Sequence, residues 1–373
     1  MATTDSKLRL LTAVPVCDGH DSAINTINLE LVHRGHEVVY LGYHRPARDV
    51  VRAAIQEGVQ AVGLSSYNGG HVEFFAAVAE GLKGTGIGVI GGGGGTITKD
   101  DEAEMLARGV DRIFFAGTPL DEMMDWLADK YGGNELQSNG NGDAEISRRL
   151  DQVDPAGEPR DVSVVGFTGP GGAGKTTLID ELVLRFLKHR EGRVAILSHD
   201  PSIVGNGALL GDRATMIHSQ HDRVFMRSLA TRGQAGGLGP QTADMLRVLK
   251  STDGIELILI ETVGTGQEAL PFKDEVDHKV FVMSPEYGSR LQLQKIAMLD
   301  AADTIVVNKN DRPAATTARN EVDARLRMNR TGHADVFTTC AKRHRDAGVD
   351  ALFDHLMDPK NAKSQREQRA AKV

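Results

Sequence analysis

Cysteine is scarce in this chain: two residues, Cys17 and Cys340, stand far apart in sequence. They offer neither a disulfide framework nor metal-type spacing, and their scarcity fits a reducing, cytoplasmic setting. Long hydrophobic runs are missing too, so no stretch approaches membrane-spanning length. Met1–Lys7 is polar and Leu8–Val16 runs straight into a polar loop, unlike a signal peptide. There is no excess of positive charge; the net charge of −8 argues against nucleic acid or an anionic membrane as main partner. No tandem repeat is visible, and the glycine run Gly91–Gly95 is the sole low-complexity tract. Glycine, by contrast, is abundant at 42 residues, much of it in loops suited to close approach by ligands. A length of 373 residues, 40% hydrophobic and 25% charged, describes an ordinary soluble protein of two or three domains.

The first segment alternates apolar runs with amphipathic stretches. Strands are predicted at Lys7–Val14, Glu37–Leu41, Ala61–Ser65, Ile87–Ile90 and Arg112–Phe115. Helices are predicted at Ile24–Arg34, Arg48–Glu57, Val72–Leu82, Asp101–Ala107 and Leu120–Tyr131. This alternation predicts a doubly wound parallel sheet of flavodoxin-like type, with ligands beyond the carboxyl ends of its strands. Gly132–Gly142 and Asp151–Arg160 read as linker, with a short helix around Glu145–Leu150. A second α/β unit follows, with strands at Val162–Phe167, Arg193–Ser198, Ile255–Glu261, Lys279–Met283 and Asp303–Asn308. The fold class is thus α/β, two doubly wound parallel-sheet domains, over 1–133 and 161–357. A linker over 134–160 joins them, and a polar tail covers 358–373.

Residues 169–176 read Gly-Pro-Gly-Gly-Ala-Gly-Lys-Thr, between the apolar run Val162–Phe167 and a helical pattern opening near Thr176. Glycines let backbone N–H groups curl around phosphate oxygens, and a helix start adds a favourable dipole. Gly172, Ala173, Gly174, Lys175, Thr176 and Thr177 are the predicted phosphate-binding residues, with Lys175 on the β/γ-phosphates and Thr176 on Mg2+. Asp200, in Ser-His-Asp-Pro-Ser, and Glu261, in Glu-Thr-Val-Gly264, each end a strand and offer carboxylates to the Mg2+ side. Thr262 and Asp212 are further Mg2+-side candidates, and Lys175, Asp200 and Glu261 are the residues assigned to catalysis. Asn308-Lys309-Asn310-Asp311 ends another apolar strand. Asp311 can accept hydrogen bonds from the guanine N1–H and exocyclic amine, which adenine does not supply. Thr339-Cys-Ala-Lys342 stands where GTPases place a loop against the guanine carbonyl. GTP, with GDP as product, is the expected nucleotide.

In the first segment, Val16-Cys-Asp-Gly-His-Asp21 follows the first strand directly. His20 sits where a cofactor would lie, and Asp18 can orient its imidazole, the usual arrangement behind a metal-bound histidine. Ser65-Ser-Tyr-Asn-Gly-Gly-His71 ends the third strand and Gly91–Gly95 ends the fourth. Consecutive glycines are entropically unfavourable and pack nothing, so they are expected where an elongated ligand lies against the backbone.

Together these three motifs resemble the cobalamin-binding module of the coenzyme-B12-dependent acyl-CoA mutases. In that family the histidine replaces the cofactor's own dimethylbenzimidazole base on cobalt, and the displaced base threads into the domain. The resemblance implies adenosylcobalamin as cofactor, His20 as lower axial cobalt ligand and Asp18 as its partner. It also implies that Ser65, Gly91, Gly92 and Gly93 line the nucleotide tail. The second segment resembles the G-protein chaperones of these mutases, of the methylmalonyl-CoA mutase-associated type. Asp200-Pro-Ser202, Gly207-Ala-Leu-Leu-Gly-Asp-Arg213, Arg227-Ser-Leu-Ala-Thr-Arg232, Glu261-Thr-Val-Gly-Thr-Gly-Gln267 and Asn308–Asp311 carry that likeness. Both modules in this order look like the front half of the fused isobutyryl-CoA mutases, as do Ser65–Glu73 and Met283–Gly288.

The resemblance therefore implies a cobalamin-carrying GTPase, small subunit and G-protein chaperone of an adenosylcobalamin-dependent acyl-CoA mutase. GTP hydrolysis would gate cofactor loading or release. The fused enzymes continue into a barrel that binds acyl-CoA; here a separate large subunit is expected to supply it, and isomerase activity would need that partner. A homo-oligomer or heterotetramer, an adenosyltransferase as further partner, and no nucleic acid or membrane complete the expectation. A dedicated cobalamin delivery or repair chaperone outside turnover is the rival reading. The family has an arginine three residues after Asp212, where this chain has Thr215. Weak intrinsic GTPase activity is expected unless Arg213 or a partner substitutes. Leu209–Met216 and Gly264–Leu270 are the expected switch segments.

Overall fold

The computed structural model describes residues 7–15, 18, 22–93, 95–138, 140, 142–155, 157–202, 207–234, 236–264, 272, 275–287, 299, 301–329 and 334–358. They form two compact units, one from 1–156, 202–214 and 226–232, the other from 157–201, 215–225 and 233–373.

In the first unit, β1 (Arg9–Ala13), β2 (Glu37–Tyr40), β3 (Ala61–Ser66), β4 (Gly88–Gly93) and β5 (Arg112–Phe115) alternate with helices. These are α1 (Ser22–His33), α2 (Ala47–Glu57), α3 (His71–Gly81), α4 (Lys99–Ala107) and α5 (Leu120–Tyr131). The sheet runs β5-β4-β3-β1-β2 and ends on a later strand, β8 (Ala208–Leu210). Its pairings are parallel, and the order of the first five strands is that of a flavodoxin-like fold. Alternation along each strand sends Leu11, Val39, Val62 and Val89 to one face with Phe75, Val78 and Met105. Leu10, Val38, Ala61 and Ile90 go to the other, with Leu31, Met123 and Leu127. The predicted linker helix is longer than expected, α6 (Gly142–Gln152), and folds with this unit, Ser147 Oγ lying 2.6 Å from Ile55 O.

The segments 202–214 and 226–232 join the first unit through a buried ion cluster. Glu57, at the end of α2, is fully buried; Arg9 Nη2 donates to its carboxylate at 2.7 Å and Arg213 Nη1 at 3.1 Å. Ser228 adds its N–H at 2.9 Å and its hydroxyl at 3.0 Å. Burial alone would raise the Glu57 carboxyl, but the charges of Arg9, Arg213 and Arg227 outweigh it and hold it below the usual carboxylate range. Meanwhile β8 pairs with β2 in the register Glu37↔Ala208 to Val39↔Leu210.

The second unit contains β6 (Ser163–Thr168), α7 (Lys175–His189), β7 (Arg193–Asp200), α8 (Thr242–Lys250), β10 (Ile255–Glu261), β11 (His278–Met283) and β12 (Thr304–Val307). α9 (Ala315–Asn329), β13 (Asp335–Thr338) and α10 (Ala347–Met357) follow. The sheet order is β13-β12-β11-β6-β10-β7, and β9 (Val224–Ala230) begins in this unit and ends in the first. Its central strands are almost wholly apolar and buried, as parallel strands covered on both faces must be. Strand order reverses around β6, so the loop after β6 opens at the point where such sheets bind ligands. Among the described residues no helix is long and apolar enough to cross a membrane.

Candidate functional site

The loop after β6 curls through Gly169, Gly172 and Gly174 at φ of 142, 73 and 89° and opens α7 at Lys175. A Cβ at Gly169 would lie 1.9 Å from Val282 O, so glycine is obligatory there. Lys175 is buried, its Nζ donating to Gly169 O at 3.2 Å. Thr176 Oγ1 donates to Glu261 Oε1 at 2.8 Å, and Thr262 Oγ1 lies 3.0 Å from Thr168 Oγ1. The phosphate loop, the end of β6 and the end of β10 are thereby drawn together. Gly171 N donates to Gly264 O at 3.2 Å, and a Cβ at Gly264 would sit 2.5 Å from Gly171 N. Asp200 ends β7, two residues beyond Ser198, which pairs with Glu261 across the sheet. Thr177 is exposed. Asp212 folds with the first unit, at the start of a 3-10 turn, Asp212–Thr215.

Asn308 and Lys309 brace the loop from the other side. Asn308 Nδ2 donates to Ala173 O at 3.0 Å, while its Oδ1 accepts from Thr339 Oγ1 at 3.0 Å and Ala341 N at 3.1 Å. Lys309 Nζ donates to Gly172 O at 2.5 Å. The Asp311 carboxylate is held by Lys342 Nζ at 2.5 Å and Cys340 Sγ at 3.2 Å. Hydrogen bonds from Lys342 and Cys340 bring its carboxyl down to about 2, leaving an ionised acceptor. A hydroxyl and carboxylates beside a helix start are the hard oxygen donors with which proteins hold Mg2+ against nucleotide phosphates, so Thr176, Glu261 and Asp200 fit that ion.

In the first unit, a cavity of ≈ 370 Å³ lies between the sheet and helices α1 and α5, at the carboxyl ends of the strands. Ser65, Tyr67, Thr12 and the backbone of Gly91–Gly93 line it. The three glycines differ in what keeps them bare, and β4 runs through all of them instead of stopping at Ile90. A Cβ at Gly91 would meet Phe75 at 2.4 Å and one at Gly93 would meet Ile97 at 2.6 Å, so core packing alone demands glycine there. At Gly92 a Cβ would meet only Phe114 O, at 3.7 Å, so this glycine opens the cavity. The hydroxyl of Thr12 is buried with no hydrogen-bond partner among the described residues. An apolar slot with a bare strand and an unanswered hydroxyl fits an elongated, mostly apolar group such as a displaced cobalamin base.

Asp18 is fully buried, and its Oδ2 accepts from Tyr67 N at 2.5 Å, Asn68 N at 3.2 Å and Ser66 Oγ at 3.4 Å. Its carboxylate thus anchors the turn after β3, a task its place beside His20 did not announce. His20 and Cys17 lie outside the described residues, as do residues 265–270 of the second expected switch segment. Arg213, weighed as a substitute for the arginine replaced by Thr215, is taken up elsewhere: its side chain is fully buried against Glu57 and Met226 O.

Residues 141–373 match the family model described as Methylmalonyl Co-A mutase-associated GTPase MeaB, and residues 8–123 match the B12 binding domain. The chain is 36% identical over 392 residues to the fused isobutyryl-CoA mutase of Cupriavidus metallidurans, covering 94% of this chain and 36% of that protein. It is 39% identical over 391 residues to the fused isobutyryl-CoA mutase of Nocardia farcinica, with 94% and 36% covered. The mitochondrial methylmalonic aciduria type A homolog of Mus musculus is 38% identical over 157 residues, 42% of this chain and 37% of that one. The chain thus spans little more than a third of the length of the fused mutases it matches. It belongs to the methylmalonyl-CoA mutase-associated GTPase (MeaB) family and carries a B12-binding domain ahead of its GTPase domain.

Proposed function

We propose that this chain carries adenosylcobalamin and hydrolyses GTP as the small subunit and G-protein chaperone of an acyl-CoA mutase. The observation that carries this reading is the cavity of ≈ 370 Å³ opened at Gly92, in a chain that also bears a complete phosphate loop. Lys175 and the loop's backbone N–H groups would hold the GTP phosphates, Thr176 with Asp200 and Glu261 the Mg2+, and Asp311 the guanine edge. Catalysis by these residues is mainly positioning and charge stabilisation. His20 would ligate cobalt, with Ser65, Gly91, Gly92 and Gly93 along the nucleotide tail. Bound adenosylcobalamin would supply radical chemistry through homolysis of its cobalt–carbon bond.

The acyl-CoA site would lie on a large partner subunit, within a homo-oligomer or heterotetramer. An adenosyltransferase would supply the cofactor, and GTP hydrolysis would gate its loading or release. The rival, a delivery chaperone that leaves before turnover, predicts that a large subunit does not stay bound. Absorbance spectra with adenosylcobalamin test the cofactor assignment: the chain should give the base-displaced spectrum and His20→Ala should lose it. An unchanged spectrum in His20→Ala removes His20 from the ligand role.

A further inference from the structure

β7 ends Ser198-His199-Asp200, and His199 is 2% exposed. Its Nδ1 lies 2.8 Å from the backbone carbonyl oxygen of Glu261, and its Nε2 lies 2.9 Å from Thr242 Oγ1 at the start of α8. A carbonyl oxygen only accepts, so Nδ1 carries the ring proton. On the other side of the ring, the Nε2–Thr242 contact ties the imidazole to the start of α8.

The Thr242 hydroxyl donates to Gly239 O at 2.8 Å, and the same carbonyl receives the Thr242 N–H at 3.2 Å, so the turn before α8 is closed on itself. The same turn reaches the far side of Glu261, where Val263 N donates to Gly237 O at 3.2 Å. The connections close into a ring: His199 to Glu261, along the backbone to Val263, across to Gly237, along the turn to Thr242, and back to His199.

Glu261 is the residue whose carboxylate accepts the Thr176 hydroxyl, and Gly264 O meets Gly171 N of the phosphate loop. We propose that His199 is a positioning residue for GTP hydrolysis, fixing the Glu261–Gly264 backbone against the Gly237–Thr242 turn through this closed ring of hydrogen bonds. It touches no substrate atom; it acts through Glu261. The inference rests on the GTPase reading given above.

The test measures steady-state GTP hydrolysis, and equilibrium binding of a fluorescent GTP analogue, in the full chain and its variants. His199→Leu removes both ring contacts. It should lower kcat by about tenfold, the effect of one lost buried hydrogen bond, while nucleotide affinity changes by less than about threefold. His199→Asn keeps a donor near the Nδ1 position and should recover to within about threefold of the unmutated chain, whereas His199→Gln should not. In 15N spectra of histidine-labelled protein, His199 should show a protonated Nδ1. A kcat for His199→Leu within about twofold of the unmutated chain overturns the proposal, as does an equal loss of affinity and kcat. Should the leucine variant fail to fold, equal rates for the asparagine and glutamine variants overturn it instead, and so does a bare Nδ1. If the unmutated chain hydrolyses no GTP, the GTPase reading itself falls and this inference with it. Hydrolysis that ignores position 199 sinks this inference alone.

Discussion

Thr176 Oγ1 donates to Glu261 Oε1 across 2.8 Å, joining the first turn of α7 to the last residue of β10. The bond places a hydroxyl and a carboxylate side by side above the phosphate loop, where Lys175 Nζ is folded back onto Gly169 O at 3.2 Å. Cation, hydroxyl and carboxylate are thus gathered at the start of α7.

Lys175→Ala should lower kcat for GTP hydrolysis by about 100-fold or more, since it removes the cation that the proposed function places on the phosphates. Phosphate release assays, alongside a thermal unfolding curve showing an intact fold, check this. A rate within a few-fold of the unmutated chain would take Lys175 out of the catalytic set.

In the proposed function Asp311 governs the choice of base. The unmutated chain should prefer GTP over ATP by at least about 100-fold, because guanine alone presents N–H donors to this ionised carboxylate. In Asp311→Ala the two nucleotides should compete within about threefold, as seen by displacement of a fluorescent guanine nucleotide. Equal competition in the unmutated chain would refute the guanine assignment.

Gly91 and Gly92 are neighbours in β4 with opposite expected responses. Gly92→Val should fold normally yet lose adenosylcobalamin affinity by about 100-fold, since its side chain enters the cavity. Gly91→Val collides with Phe75 and Ile113 and should cost about 1–3 kcal/mol of stability by overpacking. Urea unfolding and cofactor titration on the two variants separate these effects. A Gly92→Val chain that binds the cofactor normally would argue that the cavity is not its seat.

Acid should act on the buried histidine. Burial holds His199 at about 4, against roughly 6.5 in an unfolded chain, so the unfolded state binds more protons between those values. This contribution to stability is constant above about pH 6.5 and declines toward pH 4, by up to about 3 kcal/mol. Urea unfolding at several pH values should show that slope in the unmutated chain and a shallower one in His199→Asn. Identical slopes would contradict the assignment.

Much of this architecture was readable from residue order. Apolar runs such as Ile255–Ile260 marked the central strands of both sheets because a strand buried on both faces has no alternative composition. The phosphate loop was plain because its backbone conformation restricts which residues it accepts. Three strands were not legible, each for its own reason. β8 is three residues long and exists through its pairing with β2. β9 buries Arg227 and Ser228, which only Glu57 and Asp151, distant in sequence, make tolerable. β13, Asp-Val-Phe-Thr, is half exposed and carries no apolar run. The glycine run misled in part, since Gly91 and Gly93 answer to Phe75 and Ile97, which no local pattern reveals. His199 likewise looks like any histidine until Glu261 and Thr242 close around it.

The central claim is that one chain holds a corrinoid and a guanine nucleotide together. Equilibrium titration of the purified full chain with adenosylcobalamin, then with GTP and Mg2+, tests it most directly. The account predicts one equivalent of each retained simultaneously at micromolar concentrations. Failure to retain either, or displacement of one by the other, would contradict it.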